Sequence, residues 1–460
     1  MMQSLPNDST PSPLRFHRWR ERPAALYKEE SQNDQKSLWL KFSKHPLVMP
    51  YNRLAILVMA VNSAIFGALA EVNFKIGGIS DIRLLDLTIA NFAIALLIRQ
   101  QYVINLLFFL ATSAPLRWPL KVRWALAKVY HFGGIHVGAF FSGFVWYSMY
   151  AINLFTLPQK AEWMLHLLVP IHLTILAIMM VAAVPVVRAK YHNEFEIVSR
   201  FGGWASLLLF WVQTIVILQT TNPKSLLMAM TQSGHVAILV LLTVNAALPW
   251  FRLKKVPVRL TKASNHAVFA DFDYGVTPFS GSSTELSRNP IFEWHSFANI
   301  PIPHRTGFKL TISRAGDWTG RLIDDLPSYV WVKGIPRAGV GNIEKLFRKV
   351  VWVATGSGIG PCLPHLLANE VPSTLVWSTR NPRTTYGDDV VEDILRVQPE
   401  ALIWDTDQDG KPDLVALAYE TYKRSGAEAV ICIANKKVTW NVVYEMESRG
   451  IPAFGAIWDS

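Results

Sequence analysis

Val350-Val351-Trp352-Val353-Ala354-Thr355-Gly356-Ser357-Gly358-Ile359-Gly360-Pro361-Cys362 is the stretch whose reading decides the C-terminal fold of this chain. An apolar run ends in three closely spaced glycines, and residues 363–369 resume at helical spacing, so the stretch reads as a buried strand, a tight turn and the start of a helix. Glycines let a backbone approach a pyrophosphate closely, and a helix N-terminus offers it free N–H groups and a partial positive charge. The spacing of Gly356, Gly358 and Gly360 is not the dinucleotide fingerprint GxGxxG, and no acidic residue stands about 20 residues further on. What the turn means therefore depends on its surroundings.

Downstream, strand-like runs alternate with helical ones at 374–379, 388–397, 401–404, 413–425, 429–434 and 439–449, the pattern of a parallel sheet with crossover helices. Upstream, from residue 256 to about 341, short alternating runs such as 267–272 and 307–312 are broken by Gly, Pro, Ser and Asn. These predict a small antiparallel β-barrel. Further upstream lie six apolar segments, 54–70, 84–98, 125–150, 163–187, 202–218 and 235–251, several of them near the ~20 residues a helix needs to span a bilayer. The run 102–114 is too short to span and is expected at the interface. The fold class is thus multi-domain: a six-helix transmembrane bundle (54–251), an antiparallel β-barrel (252–345) and an α/β nucleotide-binding domain (346–460), behind a disordered basic cytosolic tail (1–53).

The chain carries a net charge of +11, a value that could suggest nucleic acid. The excess, however, sits in the tail and in alternate loops: Arg99, Arg117, Lys121 and Arg123, then Arg188, Lys190 and Arg200, then Arg252, Lys254, Lys255, Arg259 and Lys262. By the positive-inside rule both termini face the cytosol, which requires an even number of spans. The expected partner is a lipid bilayer and not nucleic acid. The first fifty residues carry no apolar signal-peptide core. Cys362 and Cys432 are the only cysteines, so no disulfide framework or CxxC motif is available. Asp405, Asp407, Asp409 and Gly410 have a calcium-loop look, but Lys411-Pro412 follows and Ala416 stands where the twelfth-position Glu belongs. No metal site is predicted.

Four motifs in this order resemble the ferredoxin reductase superfamily in its membrane form, the ferric reductase and NADPH oxidase group. Trp294-His295-Ser296-Phe297-Ala298 is similar to that group's flavin motif His-Pro-Phe-Thr, with Ser296 for Pro and Ala298 for Thr. Gly316-Asp317-Trp318-Thr319-Gly320-Arg321-Leu322 resembles its Gly-x-Trp-Thr-x-x-Leu element, where a hydroxyl and helix N–H groups hold the FAD pyrophosphate. Thr355-Gly356-Ser357-Gly358-Ile359-Gly360 resembles its nicotinamide turn, and Cys432-Ile433-Ala434 stands in place of its Cys-Gly-Pro. The stretches 131–136, 195–204 and 453–460 are similar to the fungal integral membrane flavoproteins of the TmpA type.

The resemblance implies FAD and NADPH (or NADH) as cofactors. Trp294, His295, Ser296, Phe297, Trp318 and Thr319 would face the flavin, Thr355, Gly356, Ser357, Gly358 and Gly360 the dinucleotide, and the terminal Trp458 would cover the flavin or pack on the sheet. Cys432 would stand as a catalytic residue beside the nicotinamide, or as a small core residue. Arg380 and Arg383 follow the strand where a 2′-phosphate would lie, which favours NADPH; a solvated charged loop is the competing reading. Tyr386 would stack on adenine or cap a helix.

Transmembrane haems need paired histidines about fourteen residues apart. None of His131, His136, His166, His172, His192 and His235 are so spaced, and Val145 and Gln213 stand where two partners would fall. No haem is expected. His131, His136 and His172 are left to line a polar or quinone-like site, or to make packing hydrogen bonds. The function these features imply is a membrane-bound flavoprotein oxidoreductase passing hydride from NAD(P)H to FAD and on to a small-molecule or quinone-like acceptor, in fungal secondary metabolism or developmental redox signalling. The rival expectation is a non-catalytic membrane receptor or scaffold with a degenerate flavin fold.

Overall fold

A computed structural model describes residues 45, 48–73, 79–156, 162–221, 225–302 and 306–455. Most of the expected basic tail, and Trp458, lie outside the described residues.

The six apolar segments all become helices: α1 Pro50–Asn73, α2 Asp81–Leu97, then, after α3 Gln101–Thr112 and α4 Leu120–Leu126, α5 Gly133–Thr156, α6 Trp163–Ala183, α7 His192–Thr221 and α8 Gly234–Ala247. Five helical stretches are long and apolar enough to cross a membrane, or six if the pair α2 and α3, bent by 68°, counts as one span. Gln100 fixes that bend. Its side-chain oxygen caps α3 by accepting from the Gln101 N–H at 2.8 Å, while its Nε2 donates to the backbone and side-chain oxygens of Asn245, each at 2.9 Å. Helices α1 and α5 approach closely over small residues: a Cβ on Gly134 would sit 2.0 Å from the Tyr51 carbonyl oxygen.

The expected barrel is two antiparallel sheets. One orders β1 (Lys254–Pro257), β8 (Tyr329–Val332), β4 (Ser282–Ser287) and β5 (His295–Ala298), with β9 (Arg337–Ala338) also on β4. The other orders β2 (Arg259–Lys262), β3 (Ala267–Phe272), β7 (Phe308–Ser313) and β6 (Ile300–Pro301). Among the described residues no hydrogen-bonded strand pair joins them. The two sheets share one core, with Val256, Phe272, Leu310 and Leu322 of helix α9 (Asp317–Asp325) buried between them.

The C-terminal sheet is all parallel, in the order β12 (Leu402–Asp405), β11 (Ser373–Thr379), β10 (Val350–Thr355), β13 (Ala429–Ile433) and β14 (Ala453–Phe454). Helices α10 (Ile359–Ala368), α11 (Asp388–Val397), α12 (Leu414–Ser425) and α13 (Lys436–Glu447) cross over between strands. β10 carries Val, Val, Trp and Val without alternation because both of its faces are covered.

The short apolar run expected at a membrane interface leaves Leu106, Phe109 and Leu110 exposed and packs its other face on the C-terminal half. Ile104 and Phe108 of α3 and Ala127 after α4 are buried in the same cluster as Trp352, Leu363 and Phe454 of the parallel-sheet domain. Asn105 of α3 donates to the Pro336 carbonyl at 2.9 Å and accepts from the Ala338 N–H at 2.8 Å, completing the edge near β9. Arg123 donates to the Leu346 carbonyl and to Glu428, each at 2.7 Å, and Lys128 bonds Glu447.

Candidate functional site

The strand order reverses between β10 and β13, and the glycine turn emerges there at the carboxyl end of β10. That is the topological switch point where ligands bind in open α/β sheets. Gly356 takes φ +48°, a conformation that costs a residue with a Cβ, and its carbonyl accepts from Trp377 Nε1 at 3.1 Å. Gly358 lies so close to β13 that a Cβ would meet the Ile433 carbonyl oxygen at 2.0 Å. Gly360 opens helix α10 beside Thr311 of the second antiparallel sheet. The turn thus presents backbone at a helix N-terminus, wedged between the two folds.

Residues around the turn sit differently from one another. Arg380 is 81% exposed, with Asp407 3.7 Å away. Arg383 pairs with Asp388 at 2.8 Å and Glu392 at 2.7 Å, which raises its pKa and fills its guanidinium fork. Tyr386 is buried and its hydroxyl bonds Ser313 and Thr379, so it ties the antiparallel sheets to β11 and is not free to stack on a base. Cys432 is fully buried within β13 among Val351, Val353 and Val442, and burial pushes its thiol up to about 12, with a Thr439 hydrogen bond opposing. It is a protonated core residue in this geometry. Cys362 is likewise buried, its thiol bonded to the Gly358 carbonyl at 3.2 Å.

The second group of predicted residues gathers around one indole. Trp318 lies 4.3 Å from the His295 ring and 5.8 Å from Phe297, and its Nε1 donates to Glu293 at 2.8 Å. Burial lowers the His295 pKa, Glu293 partly opposing, and His295 Nε2 is buried without a hydrogen-bond partner among the described residues. Trp294 donates to the Pro290 carbonyl at 2.7 Å, and Ser296 points to solvent. Thr319 spends its hydroxyl on its own turn, accepting from the Ala315 and Gly316 N–H groups and donating to the Gly316 carbonyl.

The histidines of the helical half make packing contacts. His136 Nδ1 is 2.8 Å from the Ala95 carbonyl, and the His131 ring lies tilted against Tyr130 at 4.1 Å between centroids. Gln213, which stands at a would-be haem-ligand position, links His172 (3.2 Å) to the Tyr147 hydroxyl (2.9 Å). Among the described residues no group of three His, Cys, Asp or Glu side chains could hold a metal ion. Sequence reasoning missed the buried pair His365–Glu344, 2.6 Å apart and stacked under Trp352, which seats α10 on the 3-10 turn 340–346. A His at helical spacing in an apolar run gives no hint of a partner 21 residues away.

Residues 340–460 match the family model described as Adenylate-forming reductase 03009, C-terminal domain. Two curated relatives from Coprinopsis cinerea align with 91% of this chain: Adenylate-forming reductase 06235, 41% identical over 426 residues, and Adenylate-forming reductase 03009, 43% identical over 433. The chain spans 41% of the length of each of these two relatives. Among solved structures it is similar to a ferredoxin NADP+ reductase from Neisseria gonorrhoeae with bound FAD and NADP, at 11% identity and a TM-score of 0.35. That alignment covers 44% of this chain and 98% of the other. It is also similar to ferredoxin-NADP+ reductase from Plasmodium falciparum, at 13% identity and a TM-score of 0.34, covering 44% and 95%.

These relatives correct the functional expectation. Over nine-tenths of the chain its relatives are named adenylate-forming reductases, not membrane flavoproteins passing hydride from NAD(P)H to FAD, and not receptors. The expectation of an oxidoreductase agrees with their names.

Proposed function

We propose that this chain is the reductase part of an adenylate-forming reductase, transferring hydride from a nicotinamide dinucleotide to a carboxyl group activated as an adenylate. The observation that carries the reading is the glycine turn Gly356 to Gly360 at the switch point of the parallel sheet, inside the residues matched by the family model. The adenylating chemistry belongs, in this reading, to the portion of such proteins that this chain does not align with.

The turn fits a dinucleotide. Gly356 holds a positive φ, Gly358 leaves no room for a side chain, and the N–H groups opening α10 offer a pyrophosphate the positive end of a helix. Thr355 and Ser357 flank it. Arg380 is the guanidinium with freedom to meet a 2′-phosphate, whereas Arg383 would first have to release two carboxylates. A bound nicotinamide supplies hydride. When hydride adds to the acyl carbon of the adenylate, the bond to AMP breaks, AMP leaves with the electron pair, and an aldehyde remains. The protein's part is to hold both partners in line and exclude water.

A flavin is the second group the fold resemblance implies. His295, Phe297 and Trp318 fit its ring, but Thr319 is spent on its own turn and Ala298 offers no hydroxyl. The reductive step is therefore assigned to the dinucleotide alone. The apolar helices, by their length and by the charge of their loops, support placement in a bilayer with both termini on the cytosolic face.

The test is to mix the purified chain with NADPH and a synthetic acyl-adenylate. The reading expects loss of reduced nicotinamide matched one-to-one by aldehyde. Oxidation of NADPH without aldehyde, or no oxidation, would count against it.

A further inference from the structure

Where the helical half meets the first antiparallel sheet lies a cavity of about 260 Å³. Four cations line it, Arg99 and Arg200 from the helices and Lys333 and Arg337 from the sheet side, against one carboxylate, Glu285. Lys333 and Glu285 face each other at 3.5 Å, and Arg200 gives one N–H to the Ile291 carbonyl. Among the described residues the guanidinium groups of Arg99 and Arg337 make no hydrogen bond and no ion pair. Within the lining, four cations against one carboxylate leave three positive charges in excess. Glu196 and Glu293, outside the lining, offset part of this at Arg200 and do not line the cavity beside Arg99 and Arg337. Burial pulls the Lys333 pKa down, and neighbouring Arg200 and Arg337 add to this while Glu285 opposes it, as expected where cations crowd.

The walls are set in advance. Gln100 is tied to Asn245 on the helical side, and Gln101 Oε1 accepts from the Ile335 N–H at 2.9 Å on the sheet side. Trp250 forms part of the wall, with the Lys333 ammonium 5.3 Å above its ring. The volume is more than a carboxylate needs and has room for a phosphate ester. Guanidinium forks match phosphate oxygens two at a time.

We propose that this cavity binds a phosphate group, carried by a lipid headgroup or by a soluble phosphate. The site is separate from the glycine turn and does not depend on the reductase reading. In the bilayer placement it lies where cytosolic helix ends reach the headgroup layer, where basic pockets take phosphorylated headgroups.

Thermal unfolding of the full chain in a neutral detergent tests it, with dihexanoyl phosphatidic acid and inorganic pyrophosphate titrated separately. A saturable rise of several degrees with the lipid alone assigns a headgroup; a rise with both assigns the phosphate itself. Either shift is expected to vanish in the Arg99→Gln/Arg337→Gln double variant and to shrink in each single variant, which keeps the test intact if the double variant misfolds. Without ligand, Arg99→Gln is expected to unfold at the wild-type temperature or above, because like charges have been relieved. No shift with either probe, a shift that survives both substitutions, or a ligand-free Arg99→Gln that unfolds earlier would overturn the proposal.

Discussion

Gly358 shows how much of the nucleotide turn depends on single atoms. Its backbone is ordinary, but the Ile433 carbonyl of β13 occupies the space of a side chain. Gly358→Ala is expected to cost about 1–3 kcal/mol, as overpacking does, and to abolish NADPH binding, measured by thermal unfolding and by equilibrium titration. His295 offers a second test. The unfolded chain protonates this imidazole below about pH 6.5, whereas burial keeps it neutral in the fold. Stability that is full above that pH should therefore fall on acidification until the lower folded pKa is reached. His295→Gln should flatten that decline in unfolding midpoints between neutral and mildly acid pH; an unchanged slope would locate the titration elsewhere. The glycines were legible in the sequence because spacing alone reports a turn. The meeting of His295 with Trp318 was not, since it is made by α9 folding back on β5.

At the scale of elements, long apolar runs announce themselves and short amphipathic ones do not. The six long segments became helices where their lengths said they would, and the alternation of strands and helices after residue 350 gave the parallel sheet. Helix α3 buries Ile104 and Phe108 while leaving Leu106, Phe109 and Leu110 exposed, and its sequence did not say that its buried face meets another domain. What decides is Asn105 bonding strand-edge backbone and Ile104 entering the C-terminal core, neither visible without the fold. The antiparallel sheets were legible but their closure was not: strands can be read from alternation, whereas ring closure depends on pairings that alternation does not specify. The Arg123–Glu428 contact clamps α4 to the start of β13. Burial raises the Glu428 pKa, but the Arg123 and Arg348 N–H bonds outweigh it and hold the carboxyl below its usual range. Arg123→Met is expected to lower stability by about 2–3 kcal/mol, the low end for a buried pair because Glu428 keeps some contact with water. The measurement is the unfolding midpoint beside that of Glu428→Gln, which should lose less.

For the molecule as a whole, the helical half and the sheets that follow it share buried surface, so the chain is expected to behave as one unit. If the helical half sits in a bilayer, protein expressed in yeast should stay with membranes through an alkaline carbonate wash and leave only with detergent. Release by carbonate would move the apolar helices into another role. In the proposed reaction hydride passes from the dinucleotide at the glycine turn to an activated carboxyl carbon with no intermediate carrier. The most direct test is turnover of an acyl-adenylate with NADPH deuterated at the transferring position. Direct transfer predicts deuterium on the aldehyde carbon, one per NADPH consumed. Aldehyde free of deuterium, its label lost to water through a carrier, would contradict it.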